Sequence, residues 1–142
     1  MEKNRNVFPL MTILALAGIM LVSLAGCTGE FSVSTAKISD AVMAASINPN
    51  TQEPVQKTNV FAPSTSVVYV CGKVSNAPSD TKVQSQWFYE NEFITSAEIT
   101  ASGTDTFSFS LAGPATGWPT GNYEVKLLID GKEKTTLSFM VR

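Results

Sequence analysis

From Val67 onward the chain alternates apolar and polar residues with a period of two, and clusters of turn formers interrupt it at regular intervals. No other feature constrains the fold as much. Successive side chains of a strand point to opposite faces, whereas a helix repeats at about 3.6 residues. Val67 to Val74 is rich in β-branched and aromatic residues, and Asn76-Ala77-Pro78-Ser79-Asp80 ends it. Lys82 to Glu90 sets Val83, Ser85, Trp87 and Tyr89 on one face and Gln84, Gln86 and Phe88 on the other. Asn91, between two glutamates, marks a tight solvated turn. Phe93 to Thr100 reads as a weaker strand with a polar face, and Ser102-Gly103-Thr104-Asp105 turns the chain again. Thr106 to Leu111 points Phe107, Phe109 and Leu111 inward. Asn122 to Ile129 and a return strand bearing Leu137, Phe139 and Val141 flank Asp130-Gly131. That dipeptide is a hairpin signal, because both central residues of a type I′ turn take positive φ.

The stretch before Val67 is less regular. Ile38 to Ile47 has alanines and Met43 that tolerate a helix, but its shortness and the Asn48-Pro49-Asn50 stop favour a first edge strand. Asn48 to Thr65, with three prolines, reads as a long loop pinned by Phe61. The expected fold is all-β, an antiparallel two-sheet sandwich of about seven strands, preceded by an N-terminal signal helix.

That signal rests on the first residues. Lys3 and Arg5 precede an almost wholly apolar run from Val7 to Val22, and the small residues Ala25 and Gly26 lead into Cys27. A signal peptidase binds its substrate extended, with small side chains at the scissile bond. Leu24-Ala25-Gly26-Cys27 resembles the lipobox of bacterial lipoproteins. The resemblance implies cleavage before Cys27, diacylation of its thiol, and a chain held on the membrane by that lipid. The division is then signal peptide 1–26, tether 27–36 and β-domain 37–142. Thr28, not being aspartate, would permit sorting to an outer membrane, so the expected place is the cell membrane or outer membrane, facing out of the cytoplasm. Two alternatives stay open. The segment is also compatible with an ordinary signal peptide, and Val7 to Gly26 has the ~20 residues that span a bilayer. Pro9 and the lack of basic residues just after Val22 weigh against an uncleaved span.

The later strands resemble immunoglobulin-like and fibronectin-type-III-like domains. Trp87 lies mid-strand where such sandwiches bury an aromatic residue. Gly121-Asn122-Tyr123-Glu124-Val125 is similar to the Gly-x-Tyr-x-Val opening of their penultimate strand, whose tyrosine hydroxyl bonds back to the preceding loop. Leu137-Ser138-Phe139-Met140-Val141 is similar to their Phe-x-Val ending. The paired inter-sheet cysteines of antibody domains are missing, and such motifs specify a fold rather than a function.

Chemistry is sparse. The chain has no histidine, which removes the commonest general base and the usual zinc sites. It has no phosphate loop, nucleophile elbow or calcium loop. A net charge of −2 without clustered lysines gives no footprint for nucleic acid. With Cys27 lipidated, only Cys71 keeps a thiol; it sits in an apolar strand as a small hydrophobe, and with Cys27 unmodified a Cys27–Cys71 disulfide stays conceivable. Glu90 and Glu92 flank an exposed turn where nothing withdraws them from water. No catalytic residue, cofactor or metal is expected. Trp118, in the stiff loop Gly113 to Gly121, is the candidate contact for an envelope protein or surface ligand, against the alternative that it plugs the end of the sandwich; the edge strand Phe93 to Thr100 could also pair with a partner strand, with Glu98 and its scattered threonines weighing against that. The expected function is a non-enzymatic envelope module for binding, adhesion or assembly. The alternatives are an accessory subunit positioning an envelope enzyme or transporter, and a single-span protein with the same outer domain.

Overall fold

The structure, a computed structural model, describes residues 34–142. The signal segment, Cys27 and most of the tether lie outside the described residues. Seven strands make up the domain: β1 (Lys37–Ile47), β2 (Pro54–Lys57), β3 (Val60–Phe61), β4 (Val67–Tyr89), β5 (Glu92–Ala112), β6 (Gly121–Ile129) and β7 (Lys132–Val141). They are hydrogen-bonded in the order β2-β1-β4-β6-β7-β3, with β5 paired to β4. All pairs are antiparallel except β3 with β7, which is parallel.

The expectation of two separate sheets is corrected here. The turn formers at 76–80 and 102–105 bend the chain without ending its strands. Ala77 still pairs with Gly103 and Thr81 with Ala101, between register shifts on either side. Asn76 (φ 53°), Asp80 (φ 63°) and Gly103 (φ 71°) take up the bend in the left-handed region. Asn, Asp and Gly tolerate that region, and extra residues in one strand of a pair kink it rather than break it. One sheet therefore curls through two arms. The first holds β2, β1, the start of β4 and the end of β5. The second holds the start of β5, the end of β4, β6, β7 and β3. Both arms face a shared core, with Val68, Val70, Val74, Phe107 and Phe109 from one and Val83, Trp87, Val125, Leu127 and Phe139 from the other.

Several elements follow the sequence pattern closely. Val83, Ser85 and Trp87 are buried on one face of β4. The Trp87 indole N–H donates to the Ser85 hydroxyl at 3.1 Å, so neither buried polar group is orphaned. Gly72 is required where it stands, because a Cβ there would lie 2.7 Å from the ring of its cross-strand neighbour Phe107. Asp130 (φ 48°) and Gly131 (φ 80°) form the expected turn. The Asp130 carboxylate accepts from the Lys82 backbone N–H at 2.9 Å, tying that turn to the bend in β4.

The stretch before Val67 departs from expectation. Asn48 to Thr65 is not one loop but contains β2 and β3, and β2 covers part of the outer edge of β1. Ser108 donates to the Gln52 side chain, which draws the β1–β2 hairpin over the outer face of β4 and β5. Phe61 is buried as expected, edge-on to Phe139 at 5.5 Å. The described chain enters at the pole of Asn76, where the Thr35 hydroxyl donates to the Asn76 carbonyl at 3.0 Å. It ends at the opposite pole, where Val141 pairs with Gly121.

Candidate functional site

The pole away from Asn76 is closed by the segment Gly113–Thr120, between β5 and β6. Gly113 N–H donates to the Ser66 carbonyl and Trp118 N–H to the Pro63 carbonyl, both at 2.9 Å. Gly117, at φ 89°, closes a turn onto the Pro114 carbonyl. This geometry points the Trp118 indole inward. It is 5% exposed, donates from Nε1 to the Thr65 carbonyl at 2.7 Å, and meets Tyr123 edge-on at 5.5 Å and Phe139 at 6.4 Å. Trp118 is thus a plug and not an exposed contact residue. Its bonds show why: the indole N–H finds a carbonyl inside the loop, so burying the ring leaves no donor unpaired.

Two tyrosines hold the descending limb of this loop. Tyr123 Oη donates to the Pro119 carbonyl at 2.7 Å, the back-bond expected of the Gly-x-Tyr-x-Val motif. Tyr89 Oη donates to the Thr120 carbonyl at 3.0 Å. Burial, then the neighbouring Tyr89 and Glu90, raise the Tyr123 phenol above its ordinary range, so it stays a neutral donor.

Beside the plug lies an apolar groove of about 230 Å³, lined chiefly by Tyr89, Ile94, Leu111, Pro114, Trp118 and Tyr123. Ile94 and Leu111 stand near opposite ends of β5, and only the bend at Gly103 brings them to one cavity. The groove holds no carboxylate, amine or thiol. It can enclose an apolar group but offers no base to act on one.

The remaining candidates disperse. Glu90 (φ 45°) and Asn91 (φ 69°) form the β4–β5 turn, and the Glu90 carboxylate accepts from the Asn122 backbone N–H at 2.7 Å. It is a strap between strands, and Glu92 does not join it as a catalytic pair. Cys71 is 1% exposed at the floor of a separate 260 Å³ depression flanked by Asp40, Glu53, Lys57 and Lys73. Burial pushes its thiol up to about 11, and without a base it stays protonated. Among the described residues no group of three His, Cys, Asp or Glu could hold a metal ion. Cys27 lies outside the described residues.

The groove itself escapes sequence reasoning, which assigns Ile94, Leu111 and Pro114 no shared role. One signal was available: Phe93 and Ile94 are adjacent apolar residues in an otherwise alternating strand, so one of them must face the wrong way unless the register shifts. It does shift, between Trp87 and Phe88. Phe93 then packs on Phe88 at 5.8 Å on the outer face, while Ile94 turns to the groove.

Fold and pole together define an all-β domain of immunoglobulin-like type with an apolar groove at one end. The chain is similar to an immunoglobulin-like protein of Pseudomonas aeruginosa, with 12% identity and a TM-score of 0.57 over 77% of this chain and 98% of that one. It is also similar, at 14% identity and a TM-score of 0.50, to the alkylpurine DNA glycosylase AlkC of Pseudomonas fluorescens bound to DNA containing an abasic site analogue. That match covers 77% of this chain and 31% of the glycosylase chain. At such identities the likeness is one of fold alone. No protein-family model and no curated protein matches the chain.

Proposed function

We propose that the chain is a lipid-anchored, non-enzymatic immunoglobulin-like binding module of the cell envelope. The observation that carries the binding role is the apolar groove, which encloses space for a side chain and is lined by no carboxylate, amine or thiol. Support for the lipid comes from Leu24-Ala25-Gly26-Cys27 behind its basic and apolar leader. Acyl chains contribute about 0.8 kcal/mol per buried methylene, so two or three of them hold a domain on a bilayer durably.

Mass spectrometry of the mature N-terminus tests the lipid. Acylated Cys27 is expected, and an unmodified Cys27 on a processed chain would refute the attachment. Purification from solubilised membranes tests the role. Recovery without a stoichiometric enzyme is expected, and a stoichiometric enzyme partner would replace the binding module with an accessory subunit.

A further inference from the structure

We propose that the free edge of β5 from Glu92 to Ala101, together with the adjoining groove, docks an extended strand of a protein partner. That strand would carry basic side chains on one face and an apolar side chain, seated in the groove, on the other. The proposal rests on the binding-module reading and names its surface and partner.

Among the described residues β5 pairs only with β4, so its other edge presents unpaired backbone donors and acceptors. Exposed edges are usually guarded by lysine, proline or covering chain. The domain uses such guards elsewhere. β2 covers β1 near Ile47, and the start of β7 carries Lys132, Glu133 and Lys134. Phe93 to Ala101 contains no lysine, arginine or proline, and Glu98 is its one charge. It exposes two large apolar side chains instead, Phe93 at 60% and Ile94 at 42%. Ile94 also lines the groove, so edge and cavity are continuous.

Charge selects the occupant. Glu90 in the turn and Glu92, Glu98 and Asp105 on β5 are acidic, and β5 has no cation of its own. None of the four forms an ion pair among the described residues, where the one salt bridge joins Lys126 to Glu133. The Lys82 ammonium donates to the Thr100 hydroxyl at 2.8 Å, and that of Lys126 lies over the Phe88 ring and bridges to Glu133. Two copies of this edge laid together would oppose carboxylates, which disfavours self-pairing. By register Glu98 stands on the outer face opposite Gln84, and Glu92 on the groove face opposite Tyr89, so a strand with a basic residue beside Glu98 and an apolar one beside Ile94 matches both faces. Backbone bonds would give the affinity and the alternate side chains the selectivity.

The test uses the full chain in detergent micelles and a synthetic peptide alternating lysine with valine around one leucine. Its control replaces every lysine by glutamate. Hydrogen exchange of backbone amides is the readout. The lysine peptide should slow exchange within Phe93–Ala101 about tenfold or more while leaving Lys132–Ser138 of β7 unchanged. Ile94→Lys and Glu98→Lys, both at exposed positions, should keep the parental melting temperature and each weaken the peptide about tenfold. Equal protection by both peptides, protection elsewhere, or none at saturation would overturn the proposal. So would a solution dimer abolished by Ile94→Lys, which would make a second copy the occupant. A partner recovered from membranes whose capture survives Ile94→Lys would overturn this edge and leave the binding-module reading standing.

Discussion

Gly113 lies beneath the Trp118 indole, and replacing it tests the plug without deleting it. A Cβ at residue 113 would collide with Nε1 and stand 2.8 Å from Cδ1 of that ring. The indole cannot simply slide away. Nε1 is bonded to the Thr65 carbonyl, the ring abuts Tyr123, and the backbone of Trp118 is tied to Pro63. Forcing a methyl group into such packing costs about 1–3 kcal/mol. Loss of the Thr65 bond adds about 0.5–1.5 kcal/mol. Gly113→Ala should therefore destabilise by roughly 1.5–4.5 kcal/mol, read from two-state urea denaturation. The sharper test is a cycle with Trp118→Ala, which alone should cost about 3–5 kcal/mol as a buried aromatic truncation. With the indole gone, the added methyl meets open space, so the double variant should be more stable than the two losses predict. Independent sites add within about 0.3–0.5 kcal/mol. Losses that sum within that margin would refute the plug.

Three further outcomes follow from the same core. Trp87→Ala should cost about 3–5 kcal/mol, a large part of the ~5–15 kcal/mol typical of a domain, and a melting curve matching the parent would show that the ring is not buried. Tyr123→Phe removes only the hydroxyl bonded to Pro119 and should cost about 0.5–1.5 kcal/mol in urea denaturation; no loss would mean the bond contributes nothing. Cys71 should resist alkylation near neutral pH until the domain is unfolded. Its folded pKa of about 11 exceeds the unfolded value near 8.5, so the folded state holds its proton longer. That contribution is full below the unfolded pKa and is lost as pH rises toward the folded one, so Cys71→Ala should flatten the alkaline fall in stability across that window.

Strands were legible where one face is buried. Val83, Ser85 and Trp87 alternate because one side of β4 meets the core, and Asp130-Gly131 announced its turn through backbone chemistry that few other residues supply. The continuity of β4 and β5 was not legible. Asn76, Asp80 and Gly103 carry the same local preference whether the chain ends a strand or kinks it, and only long-range pairing across β4 and β5 decides. β2 and β3 were missed because strands of four and two residues are too short to show a period. The plug was readable from Gly117 and Pro119 beside Trp118. The groove next to it was not, since its walls come from both ends of one bent strand.

The placement of the chain's entry and exit at opposite poles has a mechanical consequence. A pull between Lys37 and Val141 runs along the axes of β1 and β7, not across them. β1 is held to β4 from Lys37 to Ala44, and β7 to β6 from Lys132 to Val141 with β3 on its other side. Ladder bonds lie perpendicular to the strands, so an axial pull loads many of them together instead of opening them one by one. The rate of forced unfolding then depends on a barrier that several bonds share. A domain strung this way transmits tension from Lys37 to Val141 as a stiff link, and does not peel from its first strand.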